Sequence, residues 1–178
     1  NDVISKVIRV FDESPNVKVV FGDWLSIDEN GKYLELNYAF DFNLDHLIYE
    51  GFFLNIQACF WRSEVHDLFS GFDLNLHNTM DYQFFIEIGQ KLEETNFKRI
   101  HECLACFRRY SGQKTSCDAP RVSGEHLYLA KRYNYENKFS LAGHFLRFCF
   151  RFRRLFWYQS RGGWLYTLKK ILSSFRLK

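Results

Sequence analysis

The residue whose type and position most invite chemistry is Asp81. It follows the polar loop Asn75-Leu76-His77-Asn78-Thr79 and opens the run from Met80 to about Glu94, which reads as a helix. The positive end of a helix dipole favours an ionised carboxylate, and an ionised carboxylate can take a proton from a bound group. The plain alternative is a first-turn aspartate satisfying free backbone N–H groups, and residue type alone favours it. Asp73 lies in Gly71-Phe72-Asp73 before the same loop, turn chemistry that shapes a loop rather than touching a ligand. Arg108, Arg109 and Lys114 flank Ser111-Gly112 at a predicted strand end. They could hold a diphosphate or another anion, and a solvated loop explains them equally well. The six histidines are scattered, and His77 alone is close enough in sequence to share a site with Asp81.

The five cysteines are Cys59, Cys103, Cys106, Cys117 and Cys149. An odd count at irregular spacing does not read as a disulfide framework. Cys103-Leu-Ala-Cys106 is formally CxxC, with His101 and Cys117 nearby. Leu104-Ala105 is poor turn sequence, however, and Ile100 to Phe107 looks like a buried strand. Reduced core cysteines are favoured over a zinc site.

The elements that must position these residues follow from periodicity. Val3, Ile4, Val7, Ile8 and Phe11 predict a helix over 2–12, ended by Pro15-Asn16. Val17 to Phe21 is a buried strand, and Trp24 to Ile27 extends again. Asp28-Glu29-Asn30-Gly31 predicts a hairpin turn with Asn-Gly supplying positive φ, and Lys32 to Leu36 returns. A short helix is expected near Asp45–Glu50, a strand at Gln57 to Trp61, and a short helix from a Ser63 cap to Phe69. In the helix at Met80, residues Tyr82, Phe85, Ile86, Gly89 and Leu92 lie near one face. Phe97 to Tyr110 reads as a long strand, and Asp118 to about Tyr133 as a helix with Pro120 in its first turn. Two helices end the chain. Residues 141–158 set Phe145, Cys149, Phe152 and Phe156 against Arg147, Arg151 and Arg154; Gly162-Gly163 interrupts; then Trp164, Leu168, Ile171, Leu172 and Phe175 form a second stripe. Alternating helices and strands give an α/β class with a mixed sheet and flanking helices.

At 178 residues, the chain suits one domain with a proper core. With 47% hydrophobic and 25% charged residues it is a folding composition, which excludes a disordered chain, and no apolar run approaches a bilayer span. The opening Asn1-Asp2-Val3 lacks a signal-peptide pattern, so a piece of a longer cytoplasmic protein is expected. Charge is split. Residues 131–178 hold twelve Lys or Arg against one acid, Glu136, a net of +11, which leaves −8 on the first 130. A basic, aromatic tail on an acidic body is expected to meet something anionic.

Four blocks, taken in order, carry a resemblance. They are Val19-Val20-Phe21-Gly22-Asp23 with Ile27-Asp28-Glu29-Asn30-Gly31-Lys32; Gln57-Ala58-Cys59-Phe60-Trp61-Arg62-Ser63-Glu64-Val65; Gly71-Phe72-Asp73 with Met80-Asp81-Tyr82; and Phe107-Arg108-Arg109-Tyr110 with Gln113-Lys114-Thr115. Together they resemble the acceptor-side portion of a family 2 glycosyltransferase of GT-A fold, over about residues 1–116. The resemblance implies transfer of a sugar from a nucleotide-sugar donor to a hydroxyl acceptor, with inversion, in glycan or polysaccharide synthesis. It implies that Asp81, at the family's base position, takes the acceptor's proton. It also implies a partial GT-A-like sheet, followed by a packing helix and linker (117–140) and a basic helical tail (141–178). Two departures stand out. The family's donor-binding half with its Asp-x-Asp motif is not in the sequence, so a divalent cation, Mg or Mn, is expected mainly on that half, and this segment alone is expected to be inactive. Tyr110 stands where the family has His, and a phenol is a poor ligand for those cations.

Trp61 and Tyr82 are candidate stacking faces for a sugar ring, with core packing as the plain alternative. Arg108 and Lys114 complete the candidate substrate-binding set. The tail could lie on an anionic membrane at the cytoplasmic face, and the absence of acids over 137–178 favours that over packing on the body. The alternative function is a non-catalytic binding module contacting membrane or nucleic acid through the tail. Nucleic acid is disfavoured, because the basic residues are confined there and no recognised binding motif is visible.

Overall fold

The computed structural model describes residues 2–51, 53–113 and 119–176. One strand, β1 (Val19–Ile27), organises them. On one edge its first residues, Val19 to Phe21, pair antiparallel with β3 (Cys59–Trp61). Further along the same edge, Trp24 to Ile27 pair antiparallel with β2 (Tyr33–Asn37). The other edge is taken along its whole length by β4 (Phe97–Arg108), which runs parallel. The result is the expected α/β class, a mixed four-stranded sheet with flanking helices.

The two expected extended runs, 17–21 and 24–27, are one strand. Gly22-Asp23 does not break β1, because β4 absorbs the irregularity. Its register slips between Gly22 and Trp24, and Glu102 O comes so close that a Cβ on residue 22 would lie 2.6 Å from it. At the hairpin turn Asp28 Oδ1 accepts from the N–H groups of Asn30 and Lys32, at 2.9 and 2.8 Å. Only Gly31 takes a positive φ there, so the expected left-handed Asn30 is corrected.

Alternation along β1 divides the core between the two sheet faces. Val20 points to one face, where α1 (Asp2–Glu13) packs Val3, Val7 and Phe11 over Val17 and Leu104. Val19 and Phe21 point to the other, into the main core built on α2 (Leu44–Glu50) and α3 (Met80–Lys91). The expectation of one apolar face on α3 is too narrow. Tyr82 through Ile88 are all buried, Gln83 and Glu87 included. The sheet, α2, a 3-10 turn at Ser63–Leu68 and α4 (Ala119–Arg132) surround it. That 3-10 turn has Arg62 at its N-cap and no side-chain cap, so Ser63 is not the cap the sequence suggested. Of the described cysteines only Cys59 is buried. Cys103, Cys106 and Cys149 are exposed, which corrects their assignment to the core.

The chain ends in α5 (Leu141–Arg176), two helical arms joined at Gly163, whose φ of 71° only glycine adopts cheaply. Much of its charge is directed at the body. Arg154 pairs with Glu50, a side chain only 3% exposed that also meets the buried His46. Arg161 reaches Asp23 at 3.3 Å, and Lys170 reaches Glu35 at 3.0 Å and Asn37 Oδ1 at 2.7 Å. Phe150 stacks on His46 and Trp157 meets Phe40 edge-on. The acids that make the body net negative thus include those that hold the tail, so packing on the body, the reading the sequence disfavoured, accounts for part of its basicity. No helix among the described residues is long and apolar enough to cross a membrane.

Candidate active site

Asp81 opens α3, and what precedes it is fixed from two sides. Gly71, at φ 101°, turns the chain out of the 3-10 turn region. From α3 itself, Glu87 accepts from Ser70 N–H and Oγ–H, and Gln83 takes Asp73 N–H on its oxygen while donating to Gly71 O. Asp73 shapes the loop. It accepts from Asn75 N–H and side-chain N–H on Oδ1, and from Tyr128 and Arg132 on Oδ2.

The second support is Glu125, on α4. Its carboxylate accepts from the backbone N–H groups of His77, Asn78 and Thr79, at 2.9, 2.9 and 3.0 Å, and from Thr79 Oγ–H at 2.9 Å. Thr79 is the N-cap residue of α3 and makes no cap bond of its own. A carboxylate from another helix therefore holds the three donors that lead into α3, while the first-turn donor of Tyr82 is met by Asp81 itself. Burial raises the Glu125 pKa, but the backbone donors of Asn78, His77 and Thr79 outweigh it and hold the carboxyl below its ordinary value.

This scaffold presents a pocket of about 390 Å³, lined by Ile56, Phe72, His77, Asn78, Met80 and Asp81. Three apolar side chains form its walls, and the polar groups converge at the head of α3. Asp81 Oδ1 accepts from Tyr82 N–H at 2.8 Å. Burial raises the Asp81 pKa, and the backbone donors offset only part of that. The side-chain amide of Asn78 is buried, and neither its oxygen nor its nitrogen has a hydrogen-bond partner. A buried amide with unmet bonds, beside a carboxylate made more basic than usual, suits a ligand carrying hydroxyl groups.

The structure brings His77 to Asp81's pocket and leaves the other candidates elsewhere. Tyr82 is 1% exposed. Its hydroxyl donates to Leu47 O, its ring meets His126 edge-on, and it offers no stacking face. Trp61 packs on Phe84 and donates Nε1–H to His66 Nε2. Neither ring lines the pocket. Arg108 donates to the carbonyls of Asp28 and Glu29, closing the β1–β2 turn. Cys59, whose thiol feels the Asp81 charge, pairs with Phe21, whereas Arg108 pairs with Ile27. Six residues of strand, roughly 20 Å, therefore separate Arg108 from the pocket end. Lys114 lies outside the described residues, as does Cys117. Sequence reasoning missed Asn78 and Glu125. Asn78 stood in the loop singled out before Asp81, but nothing in the sequence marked its side chain as unpaired. Glu125 gave no signal, because its partners are 46 to 48 residues away.

Asp81 is the one carboxylate lining the pocket, and among the described residues no three His, Cys, Asp or Glu side chains gather to hold a metal ion. The divalent cation implied by the resemblance was expected mainly on the half that is not in this sequence, and the described residues offer it no cluster of ligands. Compared with known proteins, the chain matches no family model and no curated protein.

Proposed function

We propose that this chain is the acceptor side of an inverting glycosyltransferase, with Asp81 as the general base. The reading is carried by one observation: a half-buried carboxylate of raised pKa opens onto a pocket beside the unpaired Asn78 amide. In the proposed reaction an acceptor hydroxyl lies against Asp81, which takes its proton as the oxygen attacks the anomeric carbon of a nucleotide sugar. The carbon–phosphate oxygen bond breaks on the opposite side, the diphosphate leaves with its electron pair, and the configuration inverts. A base with pKa above the usual aspartate value accepts that proton more readily. The Asn78 amide orients the acceptor by donating to one hydroxyl and accepting from another, and Phe72 and Met80 supply an apolar wall for sugar C–H groups. The donor and its diphosphate would be held by a separate half, as the resemblance implies.

Saccharide titration followed by backbone amide shifts tests the acceptor half of this reading directly. Mono- and oligosaccharides are expected to move the signals of His77, Asn78 and Asp81. If a broad saccharide panel at tens of millimolar leaves those three unmoved, the pocket is not an acceptor site.

A further inference from the structure

The outer side of α5 is apolar where a surface helix is ordinarily charged. Leu141, Phe145, Phe148, Phe152 and Phe156 are 93, 67, 63, 54 and 63% exposed. At 100° per residue they fall in one stripe about 80° wide, opposite the seam formed by Gly143, Phe150, Arg154 and Trp157 that faces the body. Arg151, which also lies 3.9 Å from Glu50, flanks the stripe on one side and Arg153 on the other, each about 100° from its centre. The second arm adds Trp164, Leu165, Leu168 and Leu172, all more than half exposed. The usual arrangement is thus inverted. Arg154, Arg161 and Lys170 face the body's acids, while a row of phenylalanines faces outward.

We infer that α5 docks the protein on an anionic lipid bilayer, with the phenylalanine stripe entering the headgroup boundary and the flanking cations meeting lipid phosphates. Charge decides the occupant. Arg153 and Lys169 have no acidic partner among the described residues, and the segment 137–178 contains no acid to repel an anionic surface. A second copy docking by two-fold symmetry would bring two strongly basic tails face to face. The salt bridges to Glu50, Asp23 and Glu35 fix the helix to the body with its apolar side outward, so docking requires no refolding. This inference is independent of the sugar-transfer reading.

The test is co-flotation of the 178-residue chain with vesicles of equal parts phosphatidylglycerol and phosphatidylcholine, and of phosphatidylcholine alone. Binding is expected to the anionic vesicles, at least tenfold weaker to the neutral ones, and weakened at least tenfold by 0.5 M salt. The double substitution Phe148→Glu with Phe152→Glu is expected to lower anionic binding at least tenfold with the circular dichroism spectrum and melting temperature unchanged, since both side chains are exposed. Failure to float with anionic vesicles overturns the proposal, and so does full binding by the double variant. A wild-type dimer that the variant converts to monomer, without flotation, assigns the stripe to a second copy and also overturns it. Capture of single-stranded DNA by the stripe, again without flotation, has the same consequence.

Discussion

Replacing Glu125 by alanine removes a clamp, and the cost can be worked from its bonds. One carboxylate serves three consecutive backbone N–H groups and one hydroxyl, all at 2.9–3.0 Å. The Thr79 bonds are buried and the His77 and Asn78 donors are partly so. Water can therefore replace the carboxylate at the latter two more readily than at Thr79. An orphaned buried donor costs about 1–3 kcal/mol, and Thr79 would be left with two, its N–H and its hydroxyl. Glu125→Ala is therefore expected to lower stability by about 3 kcal/mol, and Glu125→Gln, which keeps one acceptor oxygen, by about half as much. Urea unfolding followed by circular dichroism measures both, with the m-value unchanged. The loop carrying His77 and Asn78 should also exchange its amide hydrogens faster, because its donors have lost their acceptor. A loss under 1 kcal/mol for the alanine variant, with exchange in 77–79 unaltered, would refute the idea that α4 holds the pocket loop in place.

Arg154→Ala removes the nearer of the two arginines on the buried Glu50, leaving Arg151 at 3.9 Å, and is expected to cost about 2 kcal/mol, with a smaller penalty when Glu50→Gln is already present; a double-mutant cycle in urea measures the coupling. His126, pushed down to about 4 by burial and by Lys138 beside it, resists protonation in the folded state while the unfolded chain protonates below its ordinary 6.5. Stability should therefore fall by roughly 3 kcal/mol as pH drops from 6.5 to about 4, and His126→Gln should flatten that window. The contribution of Glu125, whose folded pKa is depressed, is present above its ordinary 4.5 and is lost only at lower pH, so the two effects separate along the titration. Gly163→Ala forces a Cβ onto a left-handed residue and should lower the melting midpoint by an amount equivalent to about 1 kcal/mol.

Local pattern carried the elements whose formation depends on neighbouring residues. The helix at 2–12, the Asp28–Gly31 turn and the break at Gly162-Gly163 could be read from spacing, because each follows from side chains a few positions apart. The sidedness of α3 could not. Its burial on every face depends on α4, and Gln83 and Glu87 are polar residues kept inside by bonds to Gly71 and Ser70. The candidate site was legible only at its centre. Asp81 and His77 stand together as their shared loop suggests, whereas Tyr82 and Trp61 are core side chains and Arg108 secures a turn at the far end of β1. The basic tail was legible only in part, for a related reason. A count of charges along 137–178 cannot tell which cations already face Glu50, Asp23 and Glu35 across the fold.

The most direct measurement is sugar transfer from a panel of nucleotide sugars by the chain joined to a donor-binding half, comparing the native sequence with Asp81→Asn. The asparagine preserves the shape and the bond from Tyr82 N–H but cannot accept a proton. A fall in kcat of about 10²–10⁴, with the melting temperature unchanged, is the predicted result. Transfer by Asp81→Asn within a factor of ten of the native rate would contradict it.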